Sequence, residues 1–203
     1  MPLTRLGLFG GTFDPVHNGH LQSAVELAER YDLNTLFLVP NHQPVHRDTP
    51  DASTDHRVEM LQLATTDVDR LSVDTREALR DGPSYTVDTL TAVAEEHPGS
   101  ELLFFMGVDA FAQFDSWHRW ETILTLAQVV VIDRPNAELS DFGTRLLRGD
   151  GGPPQSLGIS RCTLTQLDIS ATQIRHRIAQ GRTVKFLLPA SVHGYIEQHG
   201  LYR

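Results

Sequence analysis

The chain has 203 residues, 40% of them hydrophobic and 21% charged, which suits a folded globular protein and argues against a disordered one. A formal charge of −9, from 17 Lys+Arg against 26 Asp+Glu, disfavours non-specific binding to nucleic acid or to an anionic membrane. The single cysteine, Cys162, excludes an internal disulfide and a cysteine-based zinc site; with no run of 18 apolar residues and no basic-then-apolar leader, the expected compartment is the cytoplasm.

Apolar runs alternate with helical patterns, the rhythm of a βαβ fold with a parallel sheet. The first run, Leu6–Phe9, closes on Gly10-Gly11, and an amphipathic helix is expected from Gly19 to Arg30. A second strand spans Thr35–Val39, and Asn41–Ala52, with two histidines and two prolines, reads as a loop. Arg57–Thr65 predicts a helix, Leu71–Val73 a short strand, and Asp81–Ser84 a turn before a helix over Val87–His97. Leu102–Met106 is continuously apolar, as a central strand buried on both faces would be. Val129–Ile132 follows, then a surface loop at Gly149–Pro154 and a late strand expected at Thr163–Leu167. Helices over Ser170–Gln180 and Ala190–Gly200 close the chain. One domain over residues 1–203 is expected, its C-terminal portion, about 169–203, helical.

Chemistry concentrates in Gly10-Gly11-Thr12-Phe13-Asp14-Pro15-Val16-His17-Asn18-Gly19-His20, where the first strand turns into the first helix. Glycines allow close backbone approach to a ligand, and N–H groups at a helix start face the carboxyl edge of the sheet. His17 and His20, three apart, project to one side and can trap a polyphosphate. Taken alone, the same residues are open to two other readings, a tight connection or a metal pair with no third ligand nearby. The G-K-[ST] ending of a P-loop and the G-x-G-x-x-G spacing are both absent. Lys185 is the only lysine, so anions must meet arginine, histidine or backbone N–H groups.

The eleven-residue segment resembles the signature of the H-x-G-H nucleotidyltransferase superfamily, in the form found in bacterial nicotinate-nucleotide adenylyltransferases. That resemblance implies an α/β, Rossmann-like, doubly wound and mainly parallel sheet with helices on both faces. A second segment, Ile169-Ser170-Ala171-Thr172-Gln173-Ile174-Arg175, is by itself a helix cap with a surface arginine. It is similar to the family's phosphate-binding I-S-[ST]-T-x-[IL]-R element, with Ala171 a departure left without a role. Pro40–Arg47 resembles the family's P-x-x-x-P-P-H-[KR] loop, Val45 replacing a proline; His42 and His46 otherwise read as exposed loop residues.

Two further segments bear on the acceptor. Pro83–Leu90 resembles S-Y-T-x-x-T-L, also readable as a capped amphipathic helix, and both tryptophans fall in Ser116-Trp117-His118-Arg119-Trp120. Trp117 is the better ligand platform, since an indole face stacks on a pyridinium ring, while Trp120 is open to a core-packing reading. The match runs from Leu6 to Tyr202.

The resemblance implies AMP transfer from ATP to nicotinate mononucleotide, with pyrophosphate released. His17, His20, Arg47 and Arg175 would be the catalytic groups. ATP would also meet Gly10, Gly11, Thr12 and Phe13 on one side and Gly107, Arg134, Ser170 and Thr172 on the other. The mononucleotide would meet Tyr85, Thr86, Asp109, Trp117 and His118. Mg²⁺ is expected on phosphates and water, because no carboxylate cluster accompanies the motif, and Lys185 lacks the K-x-D-G context of a covalent adenylyl-lysine route. Other H-x-G-H enzymes, of the pantetheine-phosphate or cytidylyl type, and a silent nucleotide-binding module are the rival readings.

Overall fold

A computed structural model describes residues 3–42, 49–80, 82–134, 139–150, 152–153 and 155–203. Six strands form one sheet: β1 (Arg5–Gly11), β2 (Thr35–Pro40), β3 (Leu71–Val73), β4 (Glu101–Gly107), β5 (Gln128–Ile132) and β6 (Ile159–Cys162). Their order is β3-β2-β1-β4-β5-β6 and every pairing is parallel, so the expected mainly parallel sheet is parallel throughout.

Period-two alternation divides the core into two layers. On β4, Leu103 and Phe105 face one layer, while Leu102, Phe104 and Met106 face the other. The first layer is completed by α1 (Asn18–Arg30), α2 (Thr54–Thr65), α7 (Ala171–Ala179) and α8 (Ala190–His199). The second takes α3 (Thr86–Glu96), α4 (Val108–Phe111), α5 (Trp120–Leu126) and α6 (Asp141–Leu147). Helices thus cover both faces, and the C-terminal helices pack into the layer that α1 and α2 build.

The expected strand at Thr163–Leu167 is corrected: the strand is β6, at Ile159–Cys162. Helices α4, α5 and α6 carried no expectation from the sequence. The surface loop at Gly149–Pro154 is described except for Gly151 and Pro154, and the middle of the Asn41–Ala52 loop, residues 43–48, lies outside the described residues. No helix among the described residues is long and apolar enough to cross a membrane.

This order places a switch point between β1 and β4. From there the connections run outward in opposite directions and open a crevice at the carboxyl ends of the two strands. Close approach at the centre of β1 depends on Gly7, where a Cβ would lie 2.6 Å from both Leu33 Cδ1 and Leu36 Cδ1 and 2.9 Å from Phe105 Cε2. Gly7→Ala should therefore destabilise the fold by about 1–3 kcal/mol through overpacking. Urea unfolding checks this; an unchanged midpoint would show that Leu33 and Leu36 repack freely.

Candidate functional site

A cavity of about 1040 Å³ fills the crevice, larger than most single-ligand sites. One end is walled by the β1–α1 turn and α7, the other by the start of α3 and the segment after β4.

At the first end, the two histidines cap α1 reciprocally. His17 Nδ1 accepts the His20 N–H at 3.4 Å, and His20 Nδ1 accepts the His17 N–H at 3.3 Å. An Nδ1 that accepts leaves the proton of a neutral imidazole on Nε2, so each ring keeps an Nε2–H donor. The rings stack at 3.7 Å with 22° between their planes, and both line the cavity. Gly19 sits close to this pair: a Cβ there would lie 3.1 Å from the His17 ring, a tight contact. Phe13, buried and left-handed at φ 50°, sets its ring edge-on to His20 at 5.1 Å. Above it Gly11 has no room for a side chain, since its Cβ would come within 2.9 Å of the Phe13 ring.

Asp14 is buried in the same turn. Its carboxylate accepts from the N–H groups of Asp51 and Ala52 at 2.8 and 3.1 Å and from the Tyr202 hydroxyl at 2.7 Å. Burial and the Asp14 carboxylate push the Tyr202 phenol well above its ordinary value, so it remains a donor. Arg175 Nη1 donates to the Asp14 main-chain oxygen at 2.9 Å, and its Nε pairs with Asp51. The structure thereby joins the two distant signatures at one point.

Gly10, Gly11, Thr12, Gly107, Arg134 and Thr172 also line the cavity. Ser170 does not; its exposed hydroxyl accepts the Gln173 N–H at 3.2 Å and caps α7. Arg47, with His46 and Val45, lies outside the described residues. His42 is held rather than free, its Nδ1 3.0 Å from Thr54 Oγ1.

The far end gathers the residues that the sequence resemblance placed on the acceptor side. The Tyr85 and His118 rings meet at 4.5 Å, and Trp117 rests against Phe104 and Phe114 at 6.1 and 5.7 Å. Trp120 packs on Phe114 and edge-on to Phe142, which is the core role. Among the described residues no side chain caps α3 at Tyr85, while the Asp88 N–H turns back to the Tyr85 main-chain oxygen at 3.1 Å. Asp109 and Arg134, assigned to different substrates from sequence, form an exposed 2.8 Å ion pair. Glu77 was missed: buried in the cavity wall, it accepts from Thr89 Oγ1 at 2.7 Å. Among the described residues no group of three or more His, Cys, Asp or Glu side chains could hold a metal ion.

A turn rich in N–H donors at the switch point of a parallel sheet, with paired imidazoles beside it, is the arrangement of a nucleotide-binding α/β protein. A family model described as cytidylyltransferase-like matches residues 8–177. The chain is 46% identical to the probable nicotinate-nucleotide adenylyltransferase of Pseudomonas paraeruginosa, over 98% of this chain and 97% of that one. It is 47% identical to the Pseudomonas putida protein of the same name, over 98% and 95%. The Plasmodium falciparum nicotinic acid mononucleotide adenylyltransferase, solved in complexes with APC and with NaAD, shares the fold at a TM-score of 0.76 and 16% identity, covering 98% of this chain and 97% of its own. The chain belongs to the cytidylyltransferase-like family and, within it, to the family of the nicotinate-nucleotide adenylyltransferases.

Burial pushes the His17 imidazole down from 6.5 to about 4. Above pH 6.5 it is neutral whether folded or unfolded and adds no pH dependence. Between pH 6.5 and 4 the unfolded chain binds a proton that the folded chain does not, so folding stability falls with pH. The expected loss from this group is about 2 kcal/mol between pH 7 and pH 5. Urea titrations of the wild type and of His17→Asn, which keeps a capping acceptor but does not titrate, check it. Equal pH slopes for the two proteins would refute the buried neutral state.

Proposed function

We propose that the protein is a nicotinate-nucleotide adenylyltransferase, transferring AMP from ATP to nicotinate mononucleotide to give nicotinate adenine dinucleotide and pyrophosphate, in the cytoplasm. The observation that carries this reading is the reciprocally capped His17–His20 pair in the crevice, with Arg175 bonded to the same turn. Whole-chain identity of 46% to a relative named for this activity supports the choice of acceptor.

The acceptor phosphate is already ionised and attacks the α-phosphorus in line, so no general base is needed. The protein's part is to position the reactants and stabilise developing charge. The Nε2–H groups of His17 and His20 would donate to the α- and β-phosphate oxygens. Arg175 would serve the β/γ end, joined by Arg47 on the strength of the sequence resemblance. Ser170 would act mainly by starting α7 in the right place. ATP would enter as its Mg²⁺ complex, the ion held by phosphates and water, since the described residues offer it no cage.

At the other end, the indole of Trp117 would stack on the pyridinium ring, with Asp109 on a ribose hydroxyl. The nicotinate carboxylate would accept from backbone N–H groups at Tyr85–Thr86 and Trp117–His118. Such donors face an acceptor-only carboxylate well and an amide NH₂ badly. Turnover with ATP should therefore favour nicotinate over nicotinamide mononucleotide by about 10²-fold or more in kcat/KM. Pyrophosphate release, measured with both acceptors in one coupled assay, tests this; comparable values would mean that the ring-end pocket is misassigned.

His20→Ala should remain folded and lose about 10²–10³-fold in kcat, the range for removing one preorganised donor. Near-normal pyrophosphate release by the folded variant would make His20 a structural residue and remove the basis of the mechanism.

A further inference from the structure

Arg57 stands in the first turn of α2 and is 1% exposed, although it carries a charge. Its fork is spent on backbone and neutral oxygens. Nη1 donates to the Thr12 main-chain oxygen at 2.8 Å and to Asn41 Oδ1 at 3.4 Å, and Nη2 donates to Thr54 Oγ1 at 3.1 Å and to the His42 main-chain oxygen at 3.4 Å. Nε is buried and has no hydrogen-bond partner among the described residues. Burying a cation is costly, and a helix needs none at this position.

What Arg57 grips explains its presence. Thr12 belongs to the turn that carries His17 and His20. Asn41 and His42 leave β2, the Asn41 N–H donating to the Gly11 oxygen at 3.2 Å and Asn41 Nδ2 to Thr12 Oγ1 at 3.5 Å. From its other side the His42 N–H donates to Ser84 Oγ at 3.1 Å, and Ser84 adjoins Tyr85 and Thr86 at the acceptor end. Residues 41–42 are thus a joint between the two ends of the cavity, and Arg57 clasps that joint to the phosphate turn.

We propose that Arg57 is a positioning residue for nucleotidyl transfer, fixing the spacing between the Thr12 turn and the His42–Ser84 contact so that the two substrates meet in reacting geometry. The inference rests on the adenylyl-transfer reading above. In-line attack needs reacting atoms about 3–3.5 Å apart, and misplacement by about 1 Å can cost about 10²-fold in rate. Loosening the joint should therefore lower kcat more than it raises either KM.

Arg57→Lys keeps the charge but cannot hold Thr12 and His42 together. It should fold, melt within a few degrees of the wild type, and lose about 10–100-fold in kcat with each KM changed by less than about 3-fold. Ser84→Ala opens the same joint from the other side. If both residues act through His42, the double variant should turn over within about 2-fold of the worse single variant. A folded Arg57→Lys protein with kcat near wild type would overturn the proposal. So would a loss that follows only the unfolded fraction seen by circular dichroism, multiplicative losses in the double variant, or failure of Arg57→Lys to fold, each of which would leave Arg57 a residue of stability or of independent effect. Wild-type protein that released no pyrophosphate would instead sink the adenylyl-transfer reading, and this inference with it.

Discussion

The site depends on one buried carboxylate. Asp14 receives donors from Asp51, Ala52 and Tyr202, and Arg175 binds its main-chain oxygen, so segments as far as 188 residues away converge on a single turn. A carboxylate taken out of water is tolerated only when its lone pairs are matched, and here several donors match them. The asymmetry of buried hydrogen bonds then acts in favour of uniqueness: displacing Asp14 would strand a phenol and two N–H groups at once. The sequence of the turn is therefore not set by ligand chemistry alone. It also fixes where α7 and the last residues of the chain settle, and hence where Arg175 stands.

That arrangement lets an acidic protein hold a polyanion. With a formal charge of −9 the overall field repels phosphates, so attraction must be local and built from neutral donors and a few well-placed cations. On the reading proposed above, neutral His17 suits this, since a donor that carries no charge of its own does not have to be desolvated as an ion before a nucleotide arrives. Arg175 is paired with Asp51 in the free protein, but the Asp51 side chain is 61% exposed. The Arg175 side chain is only 25% exposed, so the pair is half-buried. The Asp109–Arg134 pair is exposed on both sides, and such pairs are worth about 0–1 kcal/mol, so it can exchange partners at little cost. The buried contacts of Asp14 and Arg57 are the fixed frame; the exposed pair is its movable part.

Legibility in the sequence followed the range of the interactions. Leu102–Met106 was readable as a central strand because both faces are buried, which leaves no polar alternation to confuse the pattern. β6 was not, since Ile159-Ser160-Arg161-Cys162 is a four-residue edge strand with one fully buried residue, while Leu164 and Leu167 just beyond it offered a stronger but false apolar signal. α5 begins after Arg119, held left-handed at φ 53°, a start that no capping residue announces. The histidine pair was legible because the capping that orients it spans three residues. Arg57, Glu77 and Tyr202 were not, because each acquires its meaning from a partner 12 or more residues away, and on their own they look like ordinary members of a helix, a loop and a chain end.

The far end of the cavity is framed in the same way, from the core outward. Phe104 and Phe114, in the core, pack against the Trp117 indole. Glu77 is a buried acid in the wall of the same cavity. Burial pushes the Glu77 carboxyl above the usual range, while hydrogen bonds from Thr89 and Ser84 and the charge of Arg80 pull it back. The first of these effects is the largest, so the net direction is upward. Glu77 meanwhile still grips α3 through Thr89 and the Ser84 strap through its hydroxyl. A carboxyl serves there because it can accept from two hydroxyls at once, which offsets part of the cost of burying it.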